Sequence, residues 1–501
     1  MRAKKAFKNL IFNLLQQVVG IITSFILPSL IIVNYGSAIN GIVQTIKQFM
    51  SFIQLTGAGI ASSATYAMYK PLNEKNHKEV SGIYNAVNVM FIKAGNIFSL
   101  VVLIVSIAYP LFVKEDISFL TIALLVIVMS VAGGSEFYVF GKYQTLLNAD
   151  QNNYVVAIAQ AVGNLCNIIV AILLIYLKQS IVVVQLGASI IYVMRTFILH
   201  YFVKKHYQFL DPKVKPMAEK IQQKNDAIVH ELTALVIWNS SAILLSITID
   251  STAASIYSVY ALVFSGLNMI CNIVSNAIYA SFGDVIAKQD MQTLHKAFNV
   301  YEWFYFLFVG VIYTVTFIMI MPFISIFTSQ MSDAVYYLPI FGYSLVFVGI
   351  ANNIRVPART LVVASGHFKE TRNRSILEMV INLLGQIIGI YFFGIYGVVI
   401  GALLSFTYRS IDFVIYSNKN ILKISSLRTL KRFVINFIIS LVAVLLINIL
   451  FRVEADGYFM WCVYGLISTL IVGGMYLIVN VLIDKESAKD TMNSLLSIVK
   501  R

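Results

Sequence analysis

The sequence predicts an all-α polytopic membrane protein with about 14 transmembrane helices: two pseudo-symmetric six-helix halves followed by two C-terminal helices. Three observations carry that expectation. The 501 residues are 59% hydrophobic and only 12% charged, against about 25% charged in ordinary soluble domains, and the mean hydropathy is +0.80. Apolar runs of about 20 residues, the length that crosses the hydrocarbon layer, recur along the whole chain. Lys and Arg collect on alternate links between those runs.

The runs are 10–34, 40–68, 83–112, 117–141, 154–177, 180–203, 229–250, 253–286, 298–326, 334–362, 375–394, 396–417, 433–451 and 458–483. The first, Leu10 to Val33, is too long for the apolar core of a signal peptide and reads as a transmembrane helix. The least marked break is Phe393-Gly394-Ile395-Tyr396-Gly397, where two helices meet with almost no loop. If the N-terminus is cytoplasmic, the cytoplasmic links and both termini hold 28 of the 37 Lys and Arg. The outer links hold Lys114, Lys178 and Arg452, and six more lie inside helices. That asymmetry follows the positive-inside rule and places both termini in the cytoplasm.

The longest polar segment, 204–228, divides the first twelve helices into two sixes. Leu146-Leu147-Asn148-Ala149-Asp150 closes the fourth helix much as Leu361-Val362-Val363-Ala364-Ser365-Gly366 closes the tenth. The expected organisation is an N-terminal half, 1–203, and a cytoplasmic linker, 204–228. A C-terminal half, 229–417, and two additional helices with a cytoplasmic tail, 418–501, complete it. Two halves of the same topology imply a parallel repeat about an axis along the membrane normal, with substrate held where the halves meet.

The net charge of +14 does not indicate nucleic acid, because the basic residues punctuate apolar runs. Cys166, Cys271 and Cys462 are far apart and lack metal-ligand spacing. No Walker A sequence, HExxH or Cys/His cluster is present, so neither a built-in ATPase nor a metal site is expected. The outer links are too short to hold the acidic catalytic loop of a membrane glycosyltransferase or polymerase. The expectation is a non-enzyme without cofactor.

Ionisable residues inside helices are costly in hydrocarbon and mark cavities or partners. Lys47 has no acid three or four residues away, so it is either a cation in a water-filled lumen or a side chain snorkelling to the interface. Arg355 and Arg359 share a helix face on either side of Pro357 and read as a phosphate-binding fork; the plain alternative is an anchored helix end. Lys93 and Arg195 have no local partner and either pair with Glu136 or line the cavity. Arg409 and Asp412, three apart, read as an ion pair, as do Arg374 and Glu378, four apart. Glu136, Asp412 and Glu378 are the sites at which H+ or Na+ coupling would act. Gln16 and Gln17 in the first helix, and Asn268, Asn272 and Asn276 in the eighth, form polar stripes. Such stripes serve as helix–helix contacts or as a sugar-facing wall.

Several motifs together carry a resemblance. They are Asn13 and Gln16-Gln17, Leu27-Pro28 followed by Tyr35-Gly36-Ser37-Ala38-Ile39-Asn40-Gly41, and Ala364-Ser365-Gly366-His367-Phe368-Lys369-Glu370-Thr371 after the tenth helix. With the fourteen-helix layout, the chain resembles the Wzx-type polysaccharide transporters of the multidrug/oligosaccharidyl-lipid/polysaccharide (MOP) exporter superfamily, over essentially its whole length. The resemblance implies a MATE-like fold and a flippase in the bacterial cytoplasmic membrane. Its cargo would be an undecaprenyl-pyrophosphate-linked oligosaccharide for capsule, exopolysaccharide or cell-wall polymer. It also implies a cationic central cavity lined by helices one, two, seven and eight, with Lys47 in place to serve it. Membrane lipids, and the polymerase and glycosyltransferases of the same assembly route, would be its partners. The chain departs from the lipid II flippases in lacking Arg or Lys inside helices one, seven and eight. A cation-coupled multidrug exporter is the alternative on the same fold, and it would favour an acidic cavity.

Overall fold

The computed structural model describes residues 2–221, 225–287, 290–450 and 456–499. The helices are α1 (Arg2–Tyr35), α2 (Ser37–Asn73), α3 (His77–Ala108), α4 (Phe119–Ser135), α5 (Gly141–Ala149), α6 (Asn153–Tyr176) and α7 (Ile181–His206). There follow α8 (Asn225–Thr248), α9 (Ser251–Ala287), α10 (Met291–Phe327), α11 (Pro339–Ile354), α12 (Val356–Ala364), α13 (Phe368–Phe393) and α14 (Gly397–Tyr416). The last three are α15 (Leu427–Leu450), α16 (Tyr458–Ile483) and α17 (Lys485–Val499). No strand occurs among the described residues. In hydrocarbon each backbone N–H and C=O must be satisfied within its own segment, which long apolar runs achieve only as helices.

Eleven described stretches are long and apolar enough to cross a membrane, and one of them, Phe368–Leu422, holds both α13 and α14. With that hairpin counted as two crossings, and with the more polar α2 and the interrupted α11–α12 added, the fourteen expected crossings are all present. The hairpin itself needs only a 3-10 turn, Gly394–Tyr396, entered through a positive φ of 57° at Gly394.

Two crossings are broken, and they hold the same ordinal place. The fourth passes from α4 to α5 through a π turn, Glu136–Phe140. The tenth breaks at Arg355, between α11 and α12, with Pro357 just beyond. Pro357 has no N–H to donate, which explains the second break; the first has no proline and was not foreseen.

The chain divides into two compact units, Met1–Ser258 and Val259–Arg501. In the first, α3 packs on α4, α4 on α7 and α6 on α7; in the second, α10 packs on α11, α11 on α14 and α13 on α14. The third–fourth, fourth–sixth and fifth–sixth pairings of one run of six thus recur in the other. The core of the first unit is built around Ile42, Ile46, Val87, Phe98, Phe140 and Leu199. The described part of the linker before residue 222 is docked on α3: Met217 N donates to Gly82 O at 3.0 Å, and Asn85 Nδ2 donates to Val214 O at 2.8 Å.

In the second unit α15–α17 are clamped to α10 by charge. Arg432 bonds Glu302 and Asp484, each at 2.8 Å, and Thr429 donates to Glu302 at 2.6 Å.

Candidate functional site

Among the described side chains, one accessible face of α2 is polar. Gln44, Lys47, Ser51, Gln54, Ser62 and Tyr69 are exposed or half-buried, and at 3.6 residues per turn they fall within about 80° of the helix circumference. Val43, Ile46 and Met50, on other faces, are buried. On α3 the corresponding stripe is Ile97, Leu100, Ile104 and Ile107, all strongly exposed. In a chain that crosses a membrane, an accessible apolar stripe meets acyl chains, and an accessible polar one meets water. The α2 stripe is the polar one, and Lys47 is the cation on it. No carboxylate pairs with Lys47 among the described residues.

The end of α2 nearest Lys47 is tightly held. A Cβ on Gly41 would fall 1.6 Å from Ser251 O, so only glycine allows α2 this close to the start of α9. Asn40 Nδ2 donates to Ser255 Oγ at 2.8 Å, and Tyr109 and Ser246 share a hydrogen bond of 2.8 Å. Glu115 accepts from Ser251 N at 2.5 Å, capping α9. Lys47 lies six residues beyond Gly41, about 9 Å along the axis.

The broken helices gather the remaining charges. At the first break Glu136 is ion-paired with Arg195, whose guanidinium stacks on Phe140 and Tyr192, 4.6 and 4.7 Å from their ring centres. At the second, Arg355 pairs with Glu378 and also donates to Asn352 Oδ1 at 2.7 Å. Arg409 bridges Glu378 at 3.3 Å and Asp412 at 2.5 Å, and Arg374 closes on Asp412. Arg409 also donates to Ser375 Oγ at 2.8 Å. Asn353 joins the cluster to Tyr305 and Tyr313 at 2.9 Å each, and Asn268 accepts from both Asn352 and Asn353.

This arrangement changes several expectations. Arg355 and Arg359 do not form a fork. Arg355, at the break, is buried in its ion pair, whereas Arg359, on the second turn of α12, is exposed without a carboxylate partner among the described residues. Glu378 pairs with Arg355 and Arg409 instead of Arg374, because packing of α13 on α14 turns it inward and leaves Arg374 to Asp412. The Arg409–Asp412 pair is as expected. Of the two open choices for Glu136, Arg195 takes it; Lys93 stands outside, on the apolar stripe of α3. Gln16 and Gln17 are half-buried on α1, whose exposed face is Leu10, Leu14, Val18 and Ile22. Asn268 belongs to the ionic cluster, Asn272 is exposed on α9, and the side chain of Asn276 lies outside the described residues. The sequence reading singled out Lys47 but missed the stripe around it, although the spacing of Gln44, Lys47, Ser51 and Gln54 is a legible helical period.

No protein-family model matches the chain, and no curated protein matches it. Solved structures do. An inward-facing multidrug resistance transporter of the MATE family, in the MOP superfamily, superposes with a TM-score of 0.64 at 14% identity, covering 82% of this chain and 95% of its own. The lipid II flippase MurJ, in an inward closed conformation, gives 0.61 at 17% identity, covering 95% and 99%. A mutant of the Vibrio cholerae MATE transporter VcmN gives 0.52 at 15%, covering 85% and 98%. The chain therefore has the membrane fold common to MATE transporters and the lipid II flippase. More particularly, 95% coverage reaches into the additional helices at 418–501, which the 82% match is not required to include.

Proposed function

We propose that this protein is a flippase of the Wzx type, carrying undecaprenyl-pyrophosphate-linked oligosaccharide from the inner to the outer leaflet of a bacterial cytoplasmic membrane by alternating access. The observation that carries the reading is the division of charge. Glu136, Glu302, Glu378 and Asp412 are each held by at least one arginine, whereas Lys47 has no carboxylate partner among the described residues and sits on the polar stripe of α2. Glu231, within the first turn of the span beginning at Val229, is an acid left exposed at the end of a span. A cationic drug would call for free carboxylates; a diphosphate calls for free cations, which form its stronger hydrogen bonds. The amides and hydroxyls of Gln44, Ser51, Gln54 and Ser62 suit a sugar chain. The polymerase and glycosyltransferases of the same route are the proposed partners. Because Glu136, Glu378 and Asp412 are engaged by arginines, H+ or Na+ coupling through them would first have to break an ion pair.

Deletion of the gene, complemented by wild type, Lys47→Ala or Arg359→Ala, tests the reading. Wild type should restore surface polymer. Lys47→Ala at normal protein level should leave lipid-linked repeat units on the inner leaflet, and Arg359→Ala should weaken export. Normal polymer in the deletion strain, with altered drug sensitivity alone, would replace the flippase with a multidrug exporter. Loss of wall synthesis and viability would replace it with a lipid II flippase.

A further inference from the structure

Lys93 lies on the wrong face of its helix for a lumen. It shares the exposed stripe of α3 with Ile97, Leu100, Ile104 and Ile107, side chains whose exposure suits acyl chains. Lysine is seldom placed there without a counter-charge, and no carboxylate pairs with it among the described residues. Glu136, the membrane acid of the adjoining crossing, is occupied by Arg195.

A hydrogen-bonded chain ends beside it. Ser99 Oγ and the Tyr138 hydroxyl lie 3.2 Å apart, and Tyr138 donates to Asn96 Oδ1 at 3.0 Å. With its hydroxyl proton committed to Asn96, Tyr138 accepts from Ser99. With its carbonyl oxygen committed to Tyr138, Asn96 presents its amide nitrogen, which has two N–H donors and no acceptor among the described residues. Asn96 is exposed and stands three residues from Lys93, on a neighbouring part of the same face.

The depth also fits. Asn85 donates to Asp211 O at 3.0 Å and to Val214 O, so the polar linker reaches that level of α3. Lys93 is eight residues further, about 12 Å along the axis. Helical side chains lean toward the helix N-terminus, which for α3 is the linker side, so the ammonium returns to headgroup depth.

We propose that Lys93 and Asn96 form a binding site for the phosphate of a lipid headgroup on the acyl-facing flank of α3. A snorkelling lysine needs only water at the interface. Here an ammonium and an oriented amide lie three residues apart on one exposed side of α3, within reach of a single phosphate that accepts from both. The phosphate can come from a bulk diacyl phospholipid or from a polyprenyl diphosphate. The site stands independently of what the α2 stripe carries.

The test is equilibrium binding to the full chain in detergent, read by native mass spectrometry. The probes are dioctanoyl phosphatidylglycerol, undecaprenyl diphosphate and, as a phosphate-free comparison, dioctanoylglycerol. Lys93→Ala or Asn96→Leu should weaken phosphate-probe binding by about tenfold, the loss of one hydrogen bond to a charged group. Lys93→Arg should retain binding, which separates the site from misfolding, and Lys204→Ala on the linker side should bind like wild type. A response of phosphatidylglycerol alone assigns the site to bulk lipid; a response of undecaprenyl diphosphate as well places it on the path of polyprenyl lipids. Unchanged binding of both phosphate probes in Lys93→Ala and Asn96→Leu overturns the proposal.

Discussion

Arg409 and Lys47 are both cations on membrane-crossing helices, and their surroundings differ sharply. Arg409 is buried between Glu378 and Asp412, over the Phe413 ring at 3.8 Å. Removing one partner of a buried pair leaves an uncompensated charge, at a cost of about 3–5 kcal/mol. Glu378→Gln, which strips the charge from a carboxylate shared by Arg355 and Arg409, should lower the unfolding temperature in detergent and reduce the monodisperse fraction. Lys47→Ala, on an accessible face, should change stability by no more than about 0.5 kcal/mol. Equal losses in the two variants would show that Lys47 is structural. At this scale the sequence was legible only locally. Arg409–Asp412 lies within one helical turn, whereas Arg355 and Glu378 are far apart in sequence and meet only when α13 packs beside the break of the tenth crossing.

Among the elements, the α13–α14 hairpin depends on close backbone contact. Gly385 and Gly389 on α13 face Gly401 and Gly397 on α14. A Cβ on Gly401 would fall 2.4 Å from Gln386 N, and one on Gly385 would fall 2.8 Å from the Gly401 Cα. Small residues four apart let membrane helices approach until van der Waals contact and polar bridges hold them. One such bridge is Asn382 Nδ2 to Ser405 Oγ at 3.0 Å. The same packing turns Glu378 toward Arg409, so the hairpin positions the ionic cluster. Gly401→Val should separate the helices, cost about 1–3 kcal/mol by overpacking, and lower the yield of folded protein. An unchanged melting temperature would mean that the contact is not tight. The fourteen crossings were visible as apolar runs, and Pro357 marked one interruption. The π turn at Glu136–Phe140 was missed because no proline marks it, although Gly133-Gly134-Ser135 directly before it is the kind of small-residue run at which helices are interrupted.

For the whole molecule, the repeated order of crossings was readable because the polar segment 204–228 interrupts an otherwise steady alternation. The compact units divide elsewhere, after Ser258, because α8 and the start of α9 pack on α2 through contacts such as Gly41 on Ser251. A one-dimensional pattern carries no such side-by-side packing. The attachment of 418–501 to α10 was also hidden, since Arg432 finds Glu302 and Asp484 across long stretches of chain. Under the proposed function the folded chain moves a lipid-linked diphosphate sugar, and the Lys47 cation serves it. The most direct measurement is flipping in proteoliposomes, with a fluorescent undecaprenyl-diphosphate oligosaccharide placed in one leaflet and followed by its accessibility to a membrane-impermeant quencher. The expected result is protein-dependent transfer that Lys47→Ala nearly abolishes and Lys47→Arg largely preserves. Transfer at the same rate in wild type, Lys47→Ala and protein-free liposomes would contradict it.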